Sequence, residues 1–197
     1  MSAAPPPIVV AGLGRCGASA VLQMLDAGGV PCVGDWPAFE PDRVPVIPPG
    51  HAGKILQPAD PDVRGRLPCG VLVIWMARDF YEQARSQIKL LAHSTGIPAS
   101  RFPSVPAWAA SLERDEPEAK AALFAGAIAP PIVANFENVV VAPNTCARAL
   151  AVYLAPWYDI DPDRMASAIR PRAPGCAPGL DIELALMMEA QARGMSA

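Results

Sequence analysis

The stretch IVVAGLGRCGAS, residues 8–19, decides how this chain is read. Ile8, Val9 and Val10 begin an apolar run of the kind that fills a strand buried on both faces, and Gly12 ends it. The turn that follows holds Gly12, Gly14 and Gly17. Beyond it Val21, Leu22, Met24 and Leu25 recur at helical spacing until Gly28 and Gly29 stop them. A strand, a glycine turn and a helix in immediate succession place backbone N–H groups and the positive end of a helix around a phosphate. A nucleoside triphosphate, a dinucleotide and an activated sulfate donor all suit that layout.

The same alternation continues outward. GVLVIWMA, residues 70–77, reads as the clearest buried strand, and DFYEQARSQIKLLAHS, residues 79–94, as a helix of about four turns. KILQ (54–57) and PIVANF (131–136) read as further strands, the second of them buried, and VPCVG (30–34) as a short, weak one. Helices are expected within 105–127, broken near Pro117, at 144–155 with Asn144 as cap, at 161–169, and finally at 179–193. Residues 36–53 are rich in Pro, Gly and charge and read as loop. Strands alternating with helices predict an α/β fold with a mainly parallel sheet, whose ligands sit at the carboxyl ends of the strands. The loop Gly12–Ser19 and Arg78, directly after the central strand, both fall on that edge.

Composition narrows the function classes. With 197 residues the chain is read as one domain, residues 8–197, behind a flexible N-terminus at 1–7. It is 52% hydrophobic, yet no apolar run has membrane-spanning length. The start MSAAPPP lacks the basic residue and apolar stretch of a secretory signal, so a cytoplasmic protein is expected, with no membrane partner. A net charge of -3 offers no broad basic face for nucleic acid, so an anion site must be a local pocket. Cys16, Cys32, Cys69, Cys146 and Cys176 lie too far apart for zinc or redox motifs and read as buried free thiols; no metal is expected. The 24 prolines are about double the usual share and imply stiff loops.

The residues of the loop divide the three chemistries. Gly12 and Gly17 have the GxxxxG spacing of a triphosphate-binding loop, with Ser19 where a hydroxyl would hold Mg²⁺. The lysine that should precede that hydroxyl is Ala18, and no Asp ends the strand at 70–77, so ATPase or kinase chemistry is poorly served. Gly12, Gly14 and Gly17 also spell GxGxxG, and Asp35 ends the next short apolar run where the ribose-binding acid of a Rossmann-type NAD(P) site would stand. Against this, VPCVG is weak as a strand and a Pro-rich loop follows it. A second site bears on the choice. Arg78 at a strand end and Ser86 on the next helix can bring a guanidinium and a hydroxyl onto one phosphate. The plainer alternative pairs Arg78 with Asp79 or Glu82.

Taken together, the two sites resemble the P-loop sulfotransferase family. GRCGAS (14–19) is similar to the family's phosphosulfate loop, roughly Pro-Arg/Lys-Ser-Gly-Thr-Ser/Thr. Arg78 and Ser86 show the eight-residue spacing of its 3′-phosphate pair. Bacterial members look like MQMLEAGGVPV where this chain has LQMLDAGGVPC, and like VIFMRRDLDEVLASQRKML where it has VIWMARDFYEQARSQIKLL. NFENVVVAPNTCARALAVYLA is similar to a later strand, turn and helix of the family. The resemblance is strong at residues 8–35 and 71–91 and weak between 92 and 130.

That resemblance implies a P-loop NTPase-like three-layer sandwich of the sulfotransferase type and a site for 3′-phosphoadenosine 5′-phosphosulfate. Gly14, Arg15, Cys16, Gly17, Ala18 and Ser19 would enclose the 5′-phosphosulfate, and Arg78 and Ser86 would hold the 3′-phosphate. Lys54 resembles the catalytic lysine and Arg15 adds charge, together offsetting the negative charge that develops as the sulfuryl group passes to the hydroxyl or amine of a small-molecule or peptide acceptor. The departures are Gly14 for proline, Cys16 for serine, Ala18 for threonine, and Leu56 where many members have histidine. Two lost hydroxyl donors, at about 1 kcal/mol or more each, weaken the donor site ten-fold or beyond. His51, His93, Asp35 and Glu40 are candidate bases, and Arg170 and Arg172 echo a basic C-terminal stretch. The lost hydroxyls and missing histidine also suit a non-catalytic nucleotide-binding or scaffold protein on the same fold; the Arg78–Ser86 pair speaks against it. Trp36, Phe39, Phe102 and Trp108, in the irregular segments, are candidates for an acceptor pocket, and core packing explains them equally well.

Overall fold

Period-two alternation sorts the apolar residues onto two faces of one parallel sheet. The computed structural model describes residues 4–40, 45–177 and 188. Its strands are β1 (Ile8–Gly12), β2 (Ala52–Leu56), β3 (Leu72–Ala77) and β4 (Ile132–Asn135), in the spatial order β2-β1-β3-β4. Ile8, Val10, Leu72, Ile74 and Met76 face one side. There they pack with α1 (Ala18–Ala27), α5 (Phe136–Val141), α6 (Pro143–Leu154) and α7 (Pro162–Ser167). Val9, Ala11, Val73 and Trp75 face the other side, under α3 (Phe80–Thr95) and α4 (Val105–Phe124), with the one-turn α2 (Pro61–Arg64) at its margin. The chain is therefore α/β, with helices on both faces of a four-stranded parallel sheet.

The strand order places the site. β1 lies between β2 and β3, so the chain passes from β1 to β2 by way of α1 on one face and from β3 to β4 by way of α3 and α4 on the other. Such a reversal opens a crevice at the carboxyl ends of the two central strands. The loop after Gly12 and the residue after Ala77 both emerge there.

Several expectations are corrected. α4 runs through Pro117 without a break. Leu112 on one side of the proline and Ala119 and Leu123 on the other are buried in the same cluster, and that packing outweighs one missing N–H donor. PIVANF forms an edge strand, with Val133 53% exposed, where a buried one was expected. VPCVG makes a single parallel bridge, Cys32 to Ala52, instead of a strand. Asn144 does not cap α6: Pro143 opens that helix, needing no N–H partner there, and the boundary residue is Ala142 with no side-chain cap. Residues 5–7, expected to be loose, are tied down. The Pro5 carbonyl accepts from Gly50 N–H at 2.7 Å, Pro6 from the Tyr158 hydroxyl, and Pro7 from Leu72 N–H at 2.9 Å. The helix expected at 179–193 lies, apart from Met188, outside the described residues. Among the described residues no helix is long and apolar enough to cross a membrane.

Candidate functional site

The glycine turn closes on itself at two of its glycines. A Cβ on Gly12 would meet Cys16 Sγ at 2.6 Å and the Met76 carbonyl at 2.9 Å. Gly17 has φ 98°, and a Cβ there would meet Phe136 Cδ2 at 2.3 Å. Gly14 is uncrowded, its nearest neighbour at 3.5 Å. The GxxxxG pair is thus the one the protein's own packing requires. Arg15 has φ 63°, in the left-handed region that a residue with a Cβ enters only at a cost of about 1 kcal/mol. α1 begins directly behind the turn, with no side-chain cap and no acidic residue in its first turn, so its positive end is left for an anion.

Arg78 and Ser86 converge on that turn, and both do so through Arg15. Arg78 Nη1 donates to the Arg15 carbonyl at 2.9 Å, and Arg15 Nε donates to Ser86 Oγ at 3.1 Å. The Arg78 guanidinium also lies 4.4 Å from the centre of the Phe136 ring, and that of Arg172 lies 5.8 Å from it. The plainer pairing of Arg78 is not made: Asp79 caps α3, and Glu82 pairs with Arg85 at 2.7 Å. Burial holds the Arg78 guanidinium below the usual arginine range, opposed by Glu137 and Glu82 and reinforced by nearby Arg15. Its Nε is buried without a partner, as is Glu137 Oε2. A cation-rich cluster holding an unused, desolvated donor is chemically suited to an anion with several acceptor oxygens.

Two glutamines brace the turn from behind. Gln83 Nε2 donates to the carbonyls of Leu13 and, at 2.9 Å, Gly14, and Gln87 Nε2 donates to Gly14. Trp108 Nε1 holds the Gln87 carbonyl from α4. The glutamine bonds tie the Leu13 and Gly14 carbonyls toward α3. Gln83→Leu leaves the Leu13 carbonyl without its buried donor, so urea unfolding should show a loss of about 1–3 kcal/mol; a change within 0.3 kcal/mol, far below that range, would refute the brace.

Lys54 flanks the turn from the β2 side. Its side chain is 2% exposed, and its ammonium donates to Ser19 Oγ at 3.0 Å, the Ala38 carbonyl at 2.7 Å and Glu40 Oε1 at 2.5 Å. Lys54 on β2 and Arg78 directly after β3 therefore stand on either side of β1, with the loop between them.

No protein-family model matches this chain, and no curated protein matches it. The site is read from its own geometry.

The remaining expected residues separate clearly. Ala18 is buried at the start of α1 and contributes backbone alone. The Cys16 thiol turns inward to the core cluster, and burial pushes it up to about 11; it alone of the five thiols expected to be buried is fully so, for Cys32, Cys146 and Cys176 are half-buried and Cys69 is exposed. Ser86 is 2% exposed beneath Arg15, so its hydroxyl meets a ligand only when the Arg15 side chain moves. Of the candidate bases, Glu40 is brought to the site, on Lys54. His51 precedes β2, where its carbonyl accepts from Ile8 N–H, which puts it at the amino edge of the sheet, away from the crevice. His93 lies in the last turn of α3, about 20 Å along the axis from Phe80. Asp35 follows a segment that bridges to β2, two places from β1, and so does not end a strand beside β1 as a ribose-binding acid would. Trp36 and Phe39 lie in the turn beside Glu40, whereas Phe102 and Trp108 stack edge to face beyond Gln87. The sequence reading missed Phe136, Gln83 and Gln87. Gln83, Ser86 and Gln87 form an i, i+3, i+4 polar stripe on a helix packed against a buried strand, and that stripe is the signal that marks the face toward the loop.

Proposed function

We propose that this chain binds 3′-phosphoadenosine 5′-phosphosulfate and transfers its sulfuryl group to the hydroxyl or amine of a small acceptor, on a P-loop fold of the sulfotransferase type. The observation that carries this reading is the meeting of Arg15, Arg78 and Ser86 on one flank of the glycine turn while Lys54 stands on the other. Two separated cationic clusters suit a ligand with two anionic ends better than they suit a single phosphate. The unpartnered Arg78 Nε fits a further phosphate oxygen, and the Arg172 guanidinium lies against the same aromatic ring.

When bound, the donor supplies a sulfuryl group on a phosphate leaving group. The loop N–H groups and the end of α1 hold the 5′ end, and Lys54 offsets negative charge at the bridging oxygen as the sulfur–oxygen bond to phosphate breaks and the bond to the acceptor forms. Arg78 and Arg15 discriminate for the 3′-phosphate. The covered Ser86 and the fully engaged Lys54 favour a second reading, a nucleotide-binding protein on this fold without transfer activity.

Thermal unfolding with adenosine 3′,5′-bisphosphate, 5′-AMP, ATP and NAD tests the proposal. At one hundred times its Kd a ligand adds about 2.7 kcal/mol of stability. Selective stabilisation by the bisphosphate is expected; selectivity for NAD or ATP, or no response at all, overturns it. Transfer of ³⁵S from the labelled donor to an acceptor library then separates transferase from binding protein.

A further inference from the structure

Lys54 is already engaged by the chain's own anion. An ammonium has three N–H donors, and Ser19 Oγ, the Ala38 carbonyl and Glu40 Oε1 take all of them. The Ser19 hydroxyl in turn donates to the Ala38 carbonyl at 2.9 Å. Residues 35–40 thus cover both polar groups that flank the start of α1 on this side. The segment is tethered at one further point, where Gln23 Nε2 donates to the Pro37 carbonyl at 2.8 Å, and it is closed internally by Phe39 N–H donating to the Asp35 carbonyl at 2.7 Å.

The two ends of the ion pair are unequal. Lys54 is 2% exposed and Glu40 63% exposed. Water can take over the carboxylate when it leaves, whereas the buried ammonium must find another anion or pay a large desolvation cost. Phe39 adds a second asymmetry. It is buried, yet it sits at φ 52°, a left-handed conformation that disfavours a residue with a Cβ. Backbone strain at this residue offsets part of what the buried ring and the hydrogen bonds contribute to the closed turn.

We propose that residues 35–40 are an acidic latch: Glu40 occupies the Lys54 ammonium in place of an anionic ligand, and ligand binding exchanges the carboxylate for the ligand's own oxygen. The identity of that ligand rests on the nucleotide reading above; the latch itself does not.

Acylation of Lys54 by acetic anhydride, read by peptide mass spectrometry, tests the latch with no nucleotide present. Glu40→Ala and Glu40→Gln change an exposed carboxylate, and circular dichroism checks that each variant is folded before labelling. Lys54 should label at least about five-fold faster in Glu40→Ala than in the wild type, and wild-type labelling rates in both variants would overturn the latch. Calorimetric titration with adenosine 3′,5′-bisphosphate then tests the exchange, with about three- to ten-fold tighter binding expected for Glu40→Gln. Measurable but unchanged affinity overturns the exchange. If neither protein binds the bisphosphate, the nucleotide reading fails and the labelling rates still decide the latch.

Discussion

Gly17→Ala should cost about 2–4 kcal/mol of stability and abolish the nucleotide binding proposed above. Two independent penalties add at this one position. The backbone φ of 98° is strained for any residue with a Cβ, and the new methyl would stand 2.3 Å from Phe136 Cδ2. The ring cannot yield freely, because it is buried between α5 and the core and carries the Arg78 guanidinium. Pushing it away disturbs the contact that aims Arg78 at the turn. For a chain of this size the loss corresponds to a fall in Tm of about 5–15 °C, measurable by calorimetry. Gly14→Ala is the matched control: its nearest neighbour would be 3.5 Å away and its φ is not in the left-handed range, so its Tm should stay within a few degrees of the wild type. The double variant Gly17→Ala/Phe136→Leu separates the two penalties. Measured against Phe136→Leu alone, it should lose only about 1 kcal/mol, the backbone strain without the steric part. Equal Tm values for Gly14→Ala and Gly17→Ala would show that the GxxxxG spacing has no structural basis here.

That contrast shows what the sequence could carry. β1, β3, α1 and α3 are legible because each is specified locally, by a continuous apolar run or a 3.6-residue period with glycine or aspartate at its ends. The exposure of β4 is not local. PIVANF reads the same whether it lies at the centre or the edge of a sheet, and strand order alone leaves Val133 in solvent. Likewise Pro117 breaks a helix only where tertiary packing fails to hold both sides of it. In the site, the Arg78–Ser86 spacing was visible, yet the hand-over through Arg15 was not. Whether two side chains eight residues apart meet each other or a third depends on a loop conformation with Arg15 at φ 63°, which no residue pattern encodes. The latch was invisible for the same reason: Glu40 and Lys54 are joined across a turn whose strained residue is a phenylalanine, not the expected glycine.

Arg78→Ala should erase discrimination between adenosine 3′,5′-bisphosphate and 5′-AMP at a moderate cost in stability. The stability terms oppose each other. The variant loses one hydrogen bond to the Arg15 carbonyl and the stacking on Phe136, and it also removes a desolvated cation whose Nε has no partner. Removal relieves the cation's own desolvation but strands the Arg15 carbonyl and leaves the buried Glu137 carboxylate uncompensated, so a net loss of about 1–3 kcal/mol is expected. Binding has no such compensation. A charge-assisted contact to a 3′-phosphate contributes about 2–3 kcal/mol, so the bisphosphate should bind about 30- to 150-fold more weakly while 5′-AMP is barely affected. Arg78→Lys keeps the charge and loses the planar fork that satisfies the Arg15 carbonyl and a ligand at once, so it should fall between the two. A merely structural arginine would give the reverse pattern, a large fall in Tm with both nucleotides weakened alike. Calorimetric titration of both ligands against all three proteins distinguishes these patterns, and a bisphosphate preference that survives Arg78→Ala would remove Arg78 from the ligand site and leave the paired clusters without the function proposed for them.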